Sequence, residues 1–314
     1  MEIKHDEAIA KLKRILRCCE LCPRHCRADR TRGEKGFCRL DTGVVLDCAI
    51  IHHGEEPPIS GHLGAGTIFF SSCNLRCRYC QNYQISHQAK GERMDSQALA
   101  ELMLSLAGQG CHNIEPVTPT PQTPQIMEAL MLARERGLRL PFVYNCGGYE
   151  APEVIKMLEG MVDIYLPDFK YGLTGEGRLL SGVEDYPAAA VAAIREMVRQ
   201  VGDDLETEGD IAQRGMLIRH LVLPGKVENS RAVLRLIQEN ISLRAPLSIM
   251  AQYTPIPAVA GDPCLGRRVS RREYEEAVNF ALDLGFETIF TQKVDDRHLS
   301  PDFERELPFD FDRP

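Results

Sequence analysis

The sequence predicts an α/β protein: a partial (β/α)6 TIM-like barrel preceded by an N-terminal, cysteine-rich, metal-binding extension. The barrel is predicted because strand-like and helix-like segments alternate from residue 66 onward, as they do in parallel βα units. About six such units are recognisable, which is too few for a closed eight-stranded barrel. The extension is predicted because five of the twelve cysteines fall within residues 18–38.

Apolar runs that end at polar or at glycine- and proline-rich segments mark the predicted strands. These strands cover residues 66–71, 112–117, 141–146, 162–168, 215–223 and 246–253, with a weaker seventh at 287–292. Helical periodicity predicts the helices between them, at residues 95–108, 123–136, 151–159, 186–201, 229–240 and 270–284. We therefore divide the chain into the extension at 1–62, the barrel at 63–293 and a C-terminal tail at 294–314.

Two further segments have weaker patterns. Residues 43–61 alternate apolar and polar positions, which predicts a strand or hairpin laid across the barrel entrance. Three histidines in and near this segment are more typical of surface or internally hydrogen-bonded residues than of metal ligands: His52, His53 and His62. The acidic residues 202–210 are predicted to form a solvated loop.

Composition and charge exclude several classes of protein. A net charge of −8 and a pI near 5.7 argue against nucleic-acid binding by phosphate neutralisation. No apolar run approaches the roughly 18–20 residues that span a bilayer, so we expect no membrane partner. The first residues have no apolar signal-peptide core, which predicts a cytoplasmic protein. In that compartment, twelve cysteines indicate metal ligation or redox chemistry rather than disulfides.

The central motif is a group of three cysteines that follows the predicted strand at 66–71. Cys73, Cys77 and Cys80 have the spacing C-x3-C-x2-C. A loop that leaves a strand can turn three thiolates toward one point. Three ligands leave a tetrahedral zinc site incomplete, but they suit a 4Fe–4S cluster that keeps one iron open. The alternatives are a partial zinc knuckle or three unrelated core cysteines.

The segment from Ser71 to Asn82, with Tyr79 just before the third cysteine, resembles the cluster loop of the radical S-adenosylmethionine (SAM) superfamily. The resemblance implies that SAM chelates the fourth iron through its amino and carboxylate groups. It implies an electron donor of the flavodoxin or ferredoxin class, and cleavage of SAM to methionine and a 5′-deoxyadenosyl radical that abstracts hydrogen from a substrate. Tyr79 would then pack on the adenine.

A second group of cysteines, in the extension, has the spacing C-x2-C-x3-C-x11-C, at Cys19, Cys22, Cys26 and Cys38. Four thiolates satisfy either a structural zinc ion or a second iron–sulfur cluster, and spacing does not decide between them. Cys18 or His25 could replace one ligand. The alternative is that these thiols are free.

Polar residues at the carboxyl ends of the predicted strands are candidates for the cofactor site, because chemistry gathers there in such barrels. Members of the superfamily usually carry a Gly-Gly-Glu motif after the second strand. This chain has none there, and Glu115 or Thr118 are the candidates to replace it. The third strand ends at Asn145 and Cys146, of which Asn145 is a candidate for the SAM polar groups and Cys146 for hydrogen or proton transfer.

The remaining strand ends add five candidates. Asp168 and Lys170 offer a carboxylate and an ammonium to a zwitterionic ligand, with an internal Asp168–Lys170 pair as the alternative. Arg219 has the fork geometry that clamps a carboxylate. Its neighbour His220 is a candidate acid–base group, although a core histidine is the alternative. Gln252 is a candidate partner for ribose or adenine.

These strand ends narrow the resemblance. Asp168-Phe169-Lys170 and Arg219 followed by Leu223-Pro224-Gly225, together with the cysteine loop, resemble pyruvate formate-lyase activating enzyme homologues that bear an N-terminal cysteine knuckle. The resemblance covers residues 19 to 293, approximately. It implies a radical SAM enzyme that acts on a protein, peptide or small molecule. The alternatives are an activase that installs a glycyl radical on a partner enzyme, and a non-catalytic zinc-binding protein.

Overall fold

The computed structural model describes residues 2–294, 300–305 and 307–310. Its strands are β1 (Val44–His52), β2 (Ala65–Phe70), β3 (Glu92–Met94), β4 (Ile114–Val117), β5 (Val143–Cys146), β6 (Ile164–Pro167), β7 (Leu205–Glu208), β8 (Ile211–Met216), β9 (Ile218–Leu221), β10 (Leu247–Met250) and β11 (Ile289–Thr291). Its helices are α1 (Glu2–Ile15), α2 (Pro57–Ser60), α3 (Tyr83–Ser86), α4 (Ser96–Gly108), α5 (Thr123–Glu135), α6 (Pro152–Met157), α7 (Thr174–Ser181), α8 (Tyr186–Val201), α9 (Val227–Asn240) and α10 (Arg271–Leu284).

The strands form a mixed α/β structure around a large, mainly parallel sheet. An eight-stranded sheet has the order β3-β1-β2-β4-β5-β6-β8-β7, and a three-stranded sheet has the order β11-β10-β9. A parallel bridge between Asp168 and Arg219 joins β6 to β9, so the parallel strands follow one another as β2, β4, β5, β6, β9, β10 and β11. In the described part of the chain this sheet is not closed.

The predicted βα units are confirmed, and each predicted helix after residue 63 has a counterpart. Side-chain caps explain two of the helix starts. Asp95 accepts a hydrogen bond from the backbone N–H of Ala98 at the start of α4. Ser270 and Glu273 form a reciprocal capping box at the start of α10, which ends at Gly285 in the left-handed conformation.

The strand predicted at 215–223 is interrupted, and this corrects the prediction. Gly215 has a φ of +121°, and a Cβ there would lie 1.9 Å from the carbonyl oxygen of Asp204. The chain therefore bends between β8 and β9, which lie in different sheets. Strand β8 pairs antiparallel with β7, so the predicted solvated loop at 202–210 contains a strand. Its side chains are half-buried or exposed, but backbone pairing does not need apolar side chains.

Strand β1 lies at the side of the sheet, next to β2, and does not cross the barrel entrance. This corrects the prediction for residues 43–61. It pairs antiparallel with β2 from Leu46 to His52, and β3 pairs antiparallel with its first half. The extension at 1–62 therefore shares a sheet with the 63–293 segment. The residues after β1, Gly54 and Glu55, reach the carboxyl ends of the parallel strands.

Most of the parallel strand residues are buried, because helices and neighbouring strands cover both faces of the sheet. Helix α8 contributes buried alanines, Ala190 and Ala193, that allow it to approach the sheet closely. Among the described residues, every helix is too short or too polar to span a membrane.

Candidate functional site

A cavity of about 390 Å³ lies where β2, β4, β5, β6, β9 and β10 end. Parallel strands present their carboxyl ends at one edge of a sheet, so residues that are far apart in the sequence meet there. Predicted site residues that line this cavity are Cys73, Cys77, Tyr79, Cys80, Thr118, Asn145, Cys146, Asp168, Lys170, Arg219 and Gln252. Glu115 and His220 do not line it.

The cysteine loop turns inward through two residues in the left-handed conformation. Ser72 has a φ of 79° and Arg76 a φ of 47°, a region that L-residues rarely occupy. Each costs on the order of 1–2 kcal/mol of backbone strain. The Ser72 backbone N–H donates to the carbonyl of Ile85, 2.9 Å away, and its hydroxyl donates to the carbonyl of Cys38. These contacts hold the strained backbone in place.

Each of the three thiols has a hydrogen-bonding neighbour. The backbone N–H of Leu75 donates to the sulfur of Cys73 at 3.3 Å. The hydroxyl of Ser181 lies 3.0 Å from the sulfur of Cys77, and that of Ser86 lies 3.3 Å from the sulfur of Cys80. Donors of this kind stabilise negative charge on sulfur, as ligated thiolates require.

Burial disfavours the thiolate form of Cys73 and Cys80. It raises the pKa of Cys80 to about 12 and also raises the pKa of Cys73, while the Lys170 ammonium opposes both shifts. Across the described residues, no three or more His, Cys, Asp or Glu side chains already surround a common metal-sized point. The donor set nevertheless suits a 4Fe–4S cluster: three sulfurs, each hydrogen-bonded, open into one cavity.

Asp168 and Lys170 form an internal ion pair at the end of β6, which was the alternative considered for them. Both side chains also line the cavity and are about a quarter exposed. Burial alone would lower the pKa of Lys170, but the Asp168 carboxylate raises it above its usual value, so the ammonium stays charged. The backbone here is held by the Tyr186 hydroxyl, which donates to the Asp168 carbonyl and accepts from the Lys170 N–H.

Arg219 lines the cavity, but its fork is largely occupied inside the protein. Its Nε donates to the carboxylate of Glu56 at 3.0 and 3.1 Å, and its Nη2 contacts both Glu55 and Glu56. Although burial disfavours the charged form of Glu55, Arg219 and His52 hold the pKa of that carboxyl down to about 2. The guanidinium predicted to clamp a SAM carboxylate therefore already binds two glutamates.

Glu115 lies beneath the cavity and orients Asn145. Its carboxyl accepts a hydrogen bond from Nδ2 of Asn145 at 2.7 Å. Burial, reinforced by the negative charge of Glu55, raises the pKa of Glu115 to about 8. Thr118 does line the cavity, with a φ of 59° that is unusual for a β-branched residue. It is thus the strained residue at the end of β4.

Cys146 lines the cavity and has a buried carboxyl behind it. Burial raises the pKa of Glu150 to about 7. Hydrogen bonds from Thr120 and Cys146 have the opposite effect, but they do not cancel the effect of burial. The following Gly148 has a φ of +75°, and a Cβ there would lie 2.1 Å from the carbonyl oxygen of Asp168. A glycine is therefore required for the strand ends to approach each other.

The structure does not bring His220 to the cavity. Successive side chains of a strand point to opposite faces, so His220 points away when Arg219 points in. Its Nδ1 lies 2.7 Å from the carbonyl oxygen of Phe169 and its Nε2 lies 2.8 Å from the hydroxyl of Ser230. Burial lowers its pKa to about 4, so the ring is neutral. This is the core histidine considered as the alternative.

Tyr79 lines the cavity from the cysteine loop, and Gln252 lines it at its exposed rim. The Tyr79 ring is buried and packs edge-on against Tyr171 and Tyr253, with ring centroids 6.4 and 6.2 Å away. Gln252 is exposed, and its side-chain oxygen accepts a hydrogen bond from Gln292 at 3.1 Å.

The cysteines of the extension lie in mixed environments. Cys19 and Cys38 are buried, Cys22 is half-buried and Cys26 is exposed. Burial raises the pKa of Cys22 to about 12, with contributions from Glu150, Cys19 and Cys38. Its thiol therefore lies within electrostatic range of two other predicted ligands. A second metal centre on these cysteines stays a prediction.

The tail, of which residue 294, residues 300–305 and residues 307–310 are described, reaches the cavity. Pro301 and Phe309 line it, and the Phe309 ring packs on His52 and Phe69 with centroids 4.7 and 4.9 Å away. The side chain of Gln84 anchors this segment by hydrogen bonds to Asp302 and to the backbone of Phe303, both 2.8 Å long.

Several residues of the site carry no role in the sequence-based prediction: Glu55, Glu56, Ser86, Glu150, Ser181 and Tyr186. The pair Glu55-Glu56 directly before Pro57-Pro58 is a weak signal of a structured turn. The others give no recognisable sequence signal, since their roles depend on residues far along the chain.

Comparison with known proteins supports part of this picture. A family model described as a 4Fe-4S single cluster domain matches residues 61–142, which include the three cysteines of the loop. This match supports a 4Fe–4S cluster in this segment of the chain. An uncharacterized protein of Methanocaldococcus jannaschii is 27% identical over 292 residues, covering 91% of this chain and 80% of that protein.

Solved structures with a similar fold share little sequence with this chain. Methylornithine synthase has a TM-score of 0.50 and 16% identity, over 78% of this chain and 75% of its own. SuiB of Streptococcus suis, in a crystal structure with bound S-adenosylmethionine, has a TM-score of 0.49 and 12% identity over 71% of this chain. The match spans about half of SuiB, 48% of its length.

Proposed function

We propose that this protein is a radical SAM enzyme with a 4Fe–4S cluster on Cys73, Cys77 and Cys80. When bound, the cluster and SAM supply one-electron reductive cleavage to methionine and a 5′-deoxyadenosyl radical, which abstracts hydrogen from a substrate. The observation that carries the proposal is that three hydrogen-bonded thiols and a charged Asp168–Lys170 pair open into one cavity. The family match over residues 61–142 supports it.

The fold also supports the proposal. We propose that the parallel strands β2, β4, β5, β6, β9 and β10 make up a partial (β/α)6 TIM-like barrel, which the Asp168–Arg219 bridge between β6 and β9 supports. Such a barrel places its site at the carboxyl ends of the strands, where the cavity lies.

The side chains of the cavity suit a zwitterionic ligand. Asp168 can accept from the amino group of SAM while Lys170 donates to its carboxylate, so that the ligand inserts into the existing ion pair. Asn145, held by Glu115, presents its amide to the same cavity. Arg219 and Glu55 form a charged wall of this cavity, and Glu56 pairs with Arg219. Tyr79 contributes an apolar surface for the adenine, with Gln252 at the rim.

The finer assignment concerns the substrate. Pro301 and Phe309 of the tail line the cavity beside the cysteine loop, and this apolar lining favours a small molecule or a peptide end over a folded partner. Cys146 is the candidate for hydrogen or proton transfer to that substrate. The alternative is an activase, of the kind that the Asp168-Phe169-Lys170 and Leu223-Pro224-Gly225 motifs resemble. An activase would produce a glycyl radical signal only with its partner enzyme.

Two further assignments belong to the same proposal. We propose that Cys19, Cys22, Cys26 and Cys38 hold a second metal, either zinc or an iron–sulfur cluster. We also propose a cytoplasmic enzyme, since two sets of free cysteines, some of them exposed or half-buried, need a reducing compartment.

Anaerobic purification followed by metal analysis and electron paramagnetic resonance tests the proposal. We expect about four irons and four sulfides for the loop cluster, and a reduced-cluster signal that changes when SAM is added. One additional zinc would assign the extension to a structural metal, whereas about eight irons would assign it to a second cluster. Protein with zinc alone and no response to SAM would support the non-catalytic zinc-binding alternative and contradict the proposal.

A further inference from the structure

A strongly cationic surface lies on the outside of the cysteine loop, although the chain as a whole carries a net charge of −8. It surrounds a cavity of about 560 Å³ lined by Arg39, Arg76, Arg78 and Arg178. We call these residues the arginine surface. Among the described residues that line this cavity there is no carboxylate. The charge of this surface is therefore opposite to that of the chain.

Three separate segments of the chain build the arginine surface. Arg39 comes from the cysteine-rich extension, Arg76 and Arg78 from the cysteine loop, and Arg178 from α7. The extension is fixed to the loop through Phe37, whose ring is stacked between the guanidinium groups of Arg24 and Arg76 at 3.7 and 3.9 Å. This convergence gives the extension a role in shaping the surface.

Further hydrogen bonds attach the same region to α7. Arg24 donates to the carbonyls of Asn74, Ser181 and Gly182 at 2.9, 2.7 and 3.0 Å. The backbone N–H of Arg78 donates to the carbonyl of Leu180 at 2.8 Å. The surface is thus a preformed structure rather than a set of independent long side chains.

The arginine surface is also the outer side of the proposed cluster site. Arg76 and Arg78 flank Cys77, whose thiol is buried while the Arg78 side chain is exposed. The ring of His87, which lines the same cavity, lies 3.2 Å from the Cys77 carbonyl oxygen. A molecule bound on this surface would therefore be separated from the thiols by the thickness of the loop alone.

Carboxylates at the edge of the surface neutralise it weakly. Arg178 pairs with Glu184 at 2.7 Å, but both side chains are more than 60% exposed, and such pairs contribute little. Asp262 lies within electrostatic range of Arg78. Leu179, which is 52% exposed, adds an apolar contact beside the charges. A cationic surface with an exposed apolar side chain beside it fits a transient, acidic protein partner.

We propose that the arginine surface docks an acidic electron-transfer protein of the flavodoxin or ferredoxin class. This inference rests on the proposed function. In the step concerned, the reduced donor loses one electron and the oxidised cluster gains it, with no proton or group transferred. Opposite charges steer such encounters and bring the donor to the outer side of the cysteine loop.

The test compares two routes of reduction in the reconstituted protein. One route uses an acidic flavodoxin, and the other uses photoreduced deazaflavin, a small neutral reductant that needs no docking. The variant is Arg39→Gln/Arg178→Gln, which removes two exposed charges and leaves the cysteine loop intact. The matched control is Arg195→Gln/Arg271→Gln, which removes two exposed charges from α8 and α10.

We expect the apparent Michaelis constant for flavodoxin to rise by about tenfold in Arg39→Gln/Arg178→Gln, with a weaker dependence on ionic strength. The deazaflavin-driven rate and the control variant should match the unaltered protein. If both double variants had the same apparent Michaelis constant for flavodoxin, the docking proposal would be overturned, while the proposed function would stay intact. Failure of the unaltered protein to cleave SAM with deazaflavin would instead contradict the proposed function itself.

Discussion

The guanidinium of Arg219 donates through Nε to the carboxylate of Glu56, which lies 163 residues earlier in the chain, at 3.0 and 3.1 Å. Both side chains are about 8% exposed. The contact links β9 to the segment that follows β1. It therefore closes one side of the cavity and joins the extension to the barrel by buried charge.

Breaking the buried ion pair between Arg219 and Glu56 should destabilise the folded protein. Arg219→Met removes the guanidinium that contacts both Glu55 and Glu56 and leaves only His52 beside Glu55, so we expect it to lower the free energy of unfolding by about 3–5 kcal/mol. Urea titration of the purified variants measures this loss. Lys156→Met, which breaks an exposed pair with Glu153, is the control and should cost less than about 1 kcal/mol. The double variant Glu56→Gln/Arg219→Met should cost less than the sum of its single variants; strict additivity would refute the coupling.

Glu115 should make stability depend on pH. Burial and the charge of Glu55 raise its pKa from 4.5 to about 8, so the folded state binds a proton that the unfolded state releases. Stability from this group is complete below pH 4.5 and is lost as pH rises to about 8. Within that window, Glu115→Gln should gain about 1.4 kcal/mol per pH unit relative to the unaltered protein.

The measurement is the difference in unfolding free energy between Glu115→Gln and the unaltered protein at pH 5.5, 6.5 and 7.5. Taking the difference cancels the opposite dependence that His220 contributes. Glu135→Gln, at an exposed position of α5, is the control and should show a constant difference. A constant difference for Glu115→Gln as well would mean that Glu115 is ionised in the folded protein.

Thr118 has a left-handed backbone conformation and lines the cavity. Substitutions there can therefore distinguish the effect of backbone strain on stability from the effect of the hydroxyl on SAM binding. Thr118→Gly should be more stable than Thr118→Ala by about 1 kcal/mol, because glycine adopts this conformation without steric cost. Both variants lack the hydroxyl and should bind SAM more weakly to the same extent. Thermal unfolding and equilibrium SAM binding are the two measurements. Equal stability of the two variants would show that the backbone at this position carries no strain.

Ser181 donates to the Cys77 sulfur, and its loss should change the reduction potential of the cluster. Hydrogen bonds to sulfur stabilise the more negatively charged reduced form. Removing a bond of about 1 kcal/mol in Ser181→Ala should lower the one-electron potential by about 40 mV. Redox titration monitored by electron paramagnetic resonance measures the shift. Ser230→Ala, which removes a buried hydroxyl bonded to His220, should leave the potential unchanged; equal shifts in both variants would contradict the assignment.

The alternation of strands and helices was predictable because the hydrophobic periodicity of each segment indicates its secondary structure. Apolar runs such as the one that becomes β2 end at the cysteine loop, and the caps at Asp95 and Ser270 mark helix starts. The hairpin of β7 and β8 was not predictable, because the mostly exposed Leu-Glu-Thr-Glu segment at 205–208 has no apolar alternation and pairs with β8 through backbone groups. The break between β8 and β9 depends on the close approach of Gly215 to Asp204, which local sequence does not reveal.

The candidate site shows the same division between local and long-range information. The three cysteines and the strand-end residues Asn145, Asp168 and Lys170 could be located because their positions follow from the ends of predicted strands. The ion pairs of Arg219 with Glu55 and Glu56 could not be predicted, since no sequence pattern connects residues so far apart in the chain. His220 is the core histidine that the sequence analysis kept as the alternative, because on a strand only one of two adjacent residues can face the cavity.

Formation of 5′-deoxyadenosine from SAM by anaerobically reconstituted, dithionite-reduced protein tests the central claim most directly. The unaltered protein should form it, as should Cys264→Ala, which alters a cysteine outside the loop. Cys73→Ala, Cys77→Ala and Cys80→Ala should each lose the activity together with the loop cluster's iron and sulfide. Undiminished 5′-deoxyadenosine formation by any of the three would contradict the assignment of the cluster to these cysteines.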